Sequence, residues 1–271
     1  MNDPGLTIYF TLLAFFGGAC IGSFANVCIH RIPRGESVVR PRSRCPACGT
    51  LIAGYDNIPL VSYFLLRGRC RHCGAKISAR YPLVELVMAV FFLALWNRYG
   101  FDLRTLIYMG LTTALVVATF IDLDFMIIPD RISLGGIPAG LLASAWVPML
   151  HGASAWQPAL WSSLWGAAVG AGSLYLVSVL GRLAFKKDAM GMGDVKLLGA
   201  IGAFVGWEGV VFTILLSSLL GSIIGMGLIL ARGKEWQSRI PYGPYLAVAA
   251  LVWILGGSAW WQLYLSWIGA A

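Results

Sequence analysis

Residues 4–29 read PGLTIYFTLLAFFGGACIGSFANVCI, without an Asp, Glu, Lys or Arg. A bilayer span needs about 20 apolar residues, so this stretch predicts a membrane helix near residues 6–28, closed by Asn26 and His30. No small-residue cleavage site stands out after it, so it reads as a retained span rather than a removed signal peptide. The rest of the chain has the same character. Of 271 residues, 58% are hydrophobic and only 12% charged, and mean hydropathy is +0.76. A soluble domain carries roughly 25% charge. The composition excludes a soluble globule, a disordered chain and a disulfide-rich secreted module. The expected fold class is an all-α polytopic membrane protein.

The same criterion places further spans at about 82–97, 103–121, 131–150, 159–184, 194–207, 208–231 and 242–268, about eight transmembrane helices in all. Residues 132–181 contain no formal charge, which is too long for one span, and the turn-like stretch His151–Pro158 divides them. The sixth span is short and Gly-rich. Spans five and seven are rich in Gly and Ser, which permits close helix contact.

The net charge of +8 is concentrated in one place. Residues 30–80 hold Arg31, Arg34, Arg40, Arg42, Arg44, Arg67, Arg69, Arg71, Lys76 and Arg80 against only Glu36 and Asp56. The remainder of the chain is neutral. By the positive-inside rule this loop is cytoplasmic. The alternate loops agree, with Arg131, then Arg182, Lys186 and Lys187, then Arg232, Lys234 and Arg239. The short loops of the opposite side carry only Arg98, Asp102, Arg104 and Glu208, and both termini fall on that side. The expected organisation is a first transmembrane helix over 1–29, a cytoplasmic basic insertion over 30–80 and a seven-helix membrane core over 81–271. Charge confined to one loop does not point to nucleic acid. It sets topology and attracts anionic lipid headgroups, or it recognises substrate, with Glu36, Asp56 and Glu85 as counter-charges.

Within that insertion stand two Cys-x-x-Cys pairs, Cys45-Pro-Ala-Cys48-Gly and Cys70-Arg-His-Cys73-Gly. A Gly after each pair suits a tight turn that aims two thiolates at one metal. Four thiolates around a tetrahedral ion point to zinc, and a site with no open position is structural rather than catalytic. A reducing compartment disfavours structural disulfides. His72 is an alternative ligand. Cys20 and Cys28, in span one, read as buried small hydrophobes.

Ionisable residues at a span's edge are expensive and default to functional hypotheses. Two groups share the inner boundary: Asp122-Leu-Asp124-Phe-Met-Ile-Ile-Pro129-Asp130 and Gly191-Met-Gly193-Asp194-Val-Lys196. Their helices can bring Asp122 and Asp194 together. Two carboxylates that meet in a partly dry site divide the roles of acid and base. Such a pair can activate water against a peptide carbonyl and protonate the leaving amine. Gly191 and Gly193 would let a peptide approach the backbone. Each acid has a plainer reading. Asp194 suits a cap of span six, Asp122 a pair with a loop Arg, Asp124 a solvated boundary carboxylate and Asp130 a cap of span four. Glu85 suits the first turn of span two, where the helix dipole favours an acid. Lys196 can pair with a nearby acid or a substrate carboxylate. Ser23 and Asn26 suit hydrogen bonds between helices.

Taken in order, these motifs closely resemble the type IV prepilin peptidases, the bifunctional leader peptidase/N-methyltransferases of type IV pilus and type II secretion systems. The matching pieces are Gly22-Ser-Phe-Ala-Asn26-Val with Arg31 and Pro33, the two Cys-x-x-Cys pairs, and Arg80-Tyr-Pro-Leu-Val-Glu85. They continue with the Asp122…Ile128-Pro129-Asp130 stretch, Gly191-Met-Gly-Asp194-Val-Lys196 and Pro241-Tyr-Gly-Pro244. The resemblance implies a membrane aspartic peptidase of the Gly-x-Gly-Asp type, with Asp122 and Asp194 as its catalytic pair and residues 81–271 as its peptidase core. It implies prepilin and pseudopilin substrates cut after Gly at the cytoplasmic face of a bacterial inner membrane. It also implies N-methylation of the new terminus from S-adenosylmethionine, for which no Gly-rich cofactor loop is visible. Two other classes are a transporter or channel with a cytoplasmic zinc module, and a membrane thiol–disulfide enzyme. The lack of mid-membrane acids and of an evident inverted repeat counts against the first. The inward placement of the cysteines counts against the second.

Overall fold

The computed structural model describes residues 4–186, 190–232 and 241–269. The chain divides into two compact units, residues 1–117 and 118–271. Secondary structure among the described residues is helical, apart from two isolated bridges, Arg44 with Leu51 and Arg69 with Lys76. Lys187, Lys234 and Arg239, which contribute to the expected charge asymmetry, lie outside the described residues.

In the first unit, α1 (Pro4–Arg31) returns after the insertion and its short α2 (Val61–Leu65) as α3 (Arg80–Tyr99). Helices α1 and α3 pack antiparallel along a seam of small residues. A Cβ on Gly18 would come within 2.7 Å of the Met88 carbonyl oxygen, and one on Gly22 within 2.7 Å of Glu85 Cα. Small side chains let membrane helices make such close contacts. Asn26 Nδ2 donates to the Tyr81 carbonyl on α3 across 3.1 Å, an interhelical bond as expected. At the other end Phe10 packs on Trp96 and Phe101. The cysteines of α1 depart from expectation: Cys20 is exposed and Cys28 half-buried. The seam with α3 takes the Gly18–Gly22–Asn26 face and leaves Cys20 on the outward surface. An apolar thiol is at home there in a helix that faces lipid.

Helix α4 (Leu103–Phe125) contains the division between the units. The second unit continues with α5 (Asp130–Trp146), α6 (Trp156–Phe185), α7 (Met192–Arg232), α8 (Gly243–Val252) and α9 (Ser258–Trp267). Helix α7 covers the expected sixth and seventh spans, but it is not one rod. At Gly206 the backbone takes φ 74°, ψ 177°, a conformation open essentially only to glycine. Eight residues of straight helix separate their ends by about 12 Å, yet a Cβ on Gly202 would lie 2.8 Å from Val210 Cγ2. The chain therefore reverses at Gly206, and residues 207–232 run back beside 192–205.

Residues 192–205 form the core of this unit. Val195, Leu197, Leu198, Ala200, Ile201 and Ala203 are all buried. Gly166 of α6 meets Gly202, and Gly170 meets Leu198, with backbones in direct apposition; Gly136 and Gly140 of α5 meet Ala200 and Ala203. The small residues thus bring α5 and α6 onto the first segment of α7, more than span five onto span seven. Near the reversal, the Ala203 carbonyl accepts hydrogen bonds from Ser163 Oγ (2.6 Å) and Ser144 Oγ (3.2 Å), as a carbonyl near a helix end requires. The His151 ring lies between Ser144 (2.8 Å) and Ser162 (3.3 Å).

By length and composition six helical stretches among the described residues are apolar enough to cross a bilayer: Gly5–Arg34, Arg80–Tyr99, Leu103–Phe125, Trp156–Ala184, Met192–Leu228, which folds back at Gly206, and Gly243–Trp267. The fourth expected span corresponds to α5, which at 17 residues is short of the usual length. These membrane helices and the cysteine-bearing insertion make the chain the expected all-α polytopic membrane protein.

Candidate active site and metal centre

Asp122 lies one turn before the end of α4 and is buried, 5% exposed. Its Oδ2 accepts a hydrogen bond from the Gly243 backbone amide across 3.1 Å. Asp194 stands in the first turn of α7, and Asp122 is near enough to act on it electrostatically. The two acids share a third neighbour. The Ile128 side chain would lie 3.1 Å from a Cβ on Gly193 and 3.1 Å from one on Gly243, so it wedges between the backbones that carry the two sites. Asp194 Oδ1 is buried without a hydrogen-bond partner among the described residues. A buried acceptor left bare is rare in folded proteins and asks for a water or a substrate. Asp122 bonds an amide rather than a loop Arg; the Asp194 carboxylate bonds the Gly191 backbone at the start of α7, in keeping with the cap reading, and leaves its Oδ1 bare.

Gly243 is a site residue that the sequence did not single out. A Cβ there would stand 2.7 Å from Asp122 Oδ2, so only glycine lets the amide reach the carboxylate. Its neighbour Tyr242 hydrogen-bonds Ser217 (2.7 Å) and Ser218 (3.3 Å) on the returning segment of α7, which fixes the turn into α8. The signal was the Pro241-Tyr-Gly-Pro244 run, where a glycine sits before a helix-starting proline.

The other acids fall elsewhere. Lys196 Nζ pairs with Asp130 Oδ1 at 2.7 Å, which settles its partner as a nearby acid. Asp130 does not cap α5; Pro129 occupies the cap position and Asp130 opens the first turn. Its carboxylate reaches across to Lys196 instead of folding back on the amides. Asp124 is exposed at the end of α4. Glu85 is the sixth residue of α3, so it is past the first turn. It is buried against α1, and its Oε2 accepts from the Leu60 amide at 2.8 Å. It therefore ties the insertion to the α1–α3 pair.

The four cysteines converge. One sulfur from each of Cys45, Cys48, Cys70 and Cys73 lies within 4.8 Å of all the others, and Cys45 Sγ is 3.8 Å from Cys73 Sγ. Zinc–sulfur bonds of about 2.3 Å in a tetrahedron set sulfurs about 3.8 Å apart, so the donor set fits the ion. Two matching knuckles build it. The Cys45 amide bonds the Thr50 carbonyl and the Gly49 amide bonds the Cys45 carbonyl; the Cys70 and Gly74 amides repeat this with Ala75 and Cys70. Gly49 and Gly74 take φ 69° and 70°, the left-handed turn that glycine permits. Hydrogen bonds from the Thr50 side chain and amide push the Cys48 thiol down to about 6. The amides of Cys73 and His72 lower Cys70. Cys73 goes the other way, up to about 11: the Ala75 amide lowers it, but desolvation and the three other sulfurs outweigh that. Four crowded thiols titrate as a unit, and a dication would favour the thiolate form of all four. Nearby, Arg71 makes a two-pronged pair with Asp56, 2.7 Å at its shortest, and lies over the Tyr55 ring. That pair holds the Asp56 carboxyl below its usual range.

Comparison with known proteins adds independent findings. Residues 16–99 match the bacterial peptidase A24 N-terminal domain, and residues 109–226 match the type IV leader peptidase family. A protein of Aeromonas hydrophila named prepilin leader peptidase/N-methyltransferase is 40% identical, covering 96% of this chain and 94% of its own. Relatives of the same name are 36% identical in Pseudomonas putida, over 95% of this chain and 93% of theirs, and 34% identical in Neisseria gonorrhoeae, over 99% and 98%. No solved structure matches.

Proposed function

The chain belongs to the type IV leader peptidase family, and from that premise we propose that it is a prepilin leader peptidase and N-methyltransferase whose peptidase chemistry is carried by Asp122 and Asp194. The observation that carries the reading is the approach of Asp194 to Asp122, whose carboxylate the Gly243 amide holds. Acid and base are roles of the pair rather than of one residue. One carboxylate takes a proton from water as its oxygen attacks the carbonyl carbon of the scissile peptide. The other gives a proton to the leaving nitrogen as the C–N bond breaks. The products are a leader ending in a carboxylate and a pilin with a free amino terminus. Asp194 Oδ1, buried and unpartnered, has room for a hydrogen bond from water or substrate in either role, and the Gly243 amide orients Asp122.

The substrate is a prepilin or pseudopilin with a short basic leader, cut after Gly, whose apolar helix lies in the bilayer. The reaction takes place at the cytoplasmic face of a bacterial inner membrane. That side follows from the basic insertion. Zinc, held by Cys45, Cys48, Cys70 and Cys73, is structural: four thiolates leave no open position for a substrate. S-adenosylmethionine is consumed as the methyl donor, a role that rests on the relatives' name and the sequence resemblance.

A model prepilin incubated with the enzyme and read by mass spectrometry tests both activities. Leader loss without the methyl donor, and a further methyl increment with it, is the expected result. An intact prepilin under both conditions overturns the reading, and ion flux in proteoliposomes without proteolysis would favour a transporter.

A further inference from the structure

The cysteine-bearing insertion carries an apolar strip that its own fold does not cover. Ile58, Val61, Phe64 and Leu65 are 48%, 42%, 71% and 77% exposed. Val61, Phe64 and Leu65 share one side of the α2 turn, since helix residues three and four apart are neighbours, and Ile58 precedes them in extended backbone. The other side is closed: Ser62 is buried, its hydroxyl donates to the Tyr55 carbonyl, and its oxygen accepts from the Ile58 amide. The strip is therefore a built face and not a frayed loop.

Its depth is fixed by Glu85. The Leu60 amide, in the middle of the strip, bonds Glu85 Oε2 at 2.8 Å. Glu85 lies five residues into a membrane-length helix that starts at Arg80, about 7.5 Å along its axis. That 20-residue helix is about 30 Å long, the thickness of the hydrocarbon core. Segment 58–65 is thus held at the boundary between headgroups and acyl chains. Amphipathic elements that lie on membranes bury their apolar side about 5–10 Å into that zone. Beside the strip stand exposed Arg67 and Arg69, placed to meet anionic headgroups.

We propose that Ile58, Val61, Phe64 and Leu65 insert into the lipid interface as a non-spanning anchor, with Arg67 and Arg69 on lipid phosphates. The anchor holds the metal-bearing insertion flat against the bilayer. Its partner is the lipid surface, and it rests on α1 and α3 being membrane helices, independently of the peptidase reading.

The test replaces Phe64, and separately Leu65, with the photo-crosslinker p-benzoylphenylalanine in the full chain. The protein is reconstituted in vesicles of phosphatidylethanolamine and phosphatidylglycerol, irradiated and read by mass spectrometry. Phospholipid adducts at these positions are expected. Adducts only to peptides of this chain or to an added prepilin, or none at all, overturn the proposal. A second measurement uses F64S/L65S in the same vesicles. Trypsin should cut at Arg67 and Arg69 several-fold faster than in the parent, with metal content and prepilin cleavage in detergent retained. Equal trypsin rates would contradict the anchor.

Discussion

The Gly243 amide donates a hydrogen bond to Asp122 Oδ2 across 3.1 Å, joining residues far apart in the chain. It fixes one carboxylate of the pair against a backbone group that cannot swing away. A preorganised donor of this kind needs no rearrangement as charge moves in the reaction.

Adding one methyl group there should be damaging. In Gly243→Ala the new Cβ would stand 2.7 Å from Asp122 Oδ2. Misplacing a catalytic group by an ångström can cost about 100-fold in rate, and a loss of that order in prepilin cleavage is expected. Gly221→Ala is the control, because its Cβ would meet nothing closer than 3.7 Å. Equal cleavage rates in the two variants would remove Gly243 from the site.

The Lys196–Asp130 pair should matter little to stability. Its side chains are 30% and 61% exposed, and exposed ion pairs contribute about 1 kcal/mol or less. A double-mutant cycle of Lys196→Met and Asp130→Asn, read by thermal unfolding in detergent, should give a coupling within that limit. A coupling of several kcal/mol would mean that the pair is desolvated in the membrane-embedded protein.

Acid should weaken the second unit through His151. Burial pushes this imidazole down to about 4, although the Ala203 carbonyl favours its charged form. The folded state therefore holds His151 neutral while an unfolded chain protonates it near pH 6.5. Its contribution is complete above pH 6.5 and is lost as the pH falls toward 4, roughly 3 kcal/mol in all. Thermal unfolding of the parent and of His151→Gln between pH 7.5 and pH 4 should show a smaller acid loss in the variant. Parallel curves would contradict the assignment.

Metal removal should act on the insertion and not on the aspartates. The purified protein should hold one zinc per chain by elemental analysis, and Cys48→Ser should lower that occupancy. Structural zinc sites contribute directly to folding, so strong chelation should open residues 40–77 to protease. Full protease resistance after complete metal loss would show that the knuckles hold without an ion.

Much of this was legible in the sequence, for physical reasons. Spans are long apolar runs, so lipid writes them into composition. The Cys-x-x-Cys-Gly pairs are local, and the knuckles they form depend on few distant residues. Asp122 and Asp194 were visible as acids at span edges. What pairs with them was not: the Gly243 amide carries no side-chain signal, and its approach to Asp122 depends on how α8 packs. The division between spans six and seven at 207/208 anticipated the reversal at Gly206; which glycine makes it was not legible, because one glycine among many in an apolar run carries no distinct signal. Glu85 read as a dipole partner because its contact, the Leu60 amide, lies across the insertion. Cys20 read as buried because hydrophobicity does not distinguish a helix face toward protein from one toward lipid.

The central claim is that Asp122 and Asp194 together cut the prepilin. Its most direct measurement is mass spectrometry of a model prepilin incubated in vesicles with the parent enzyme, Asp122→Asn or Asp194→Asn. Each substitution keeps the shape of the side chain and removes its carboxylate. The account predicts complete leader removal by the parent and none by either variant, with both variants expressed, folded and zinc-loaded. Full leader removal by either variant would contradict it.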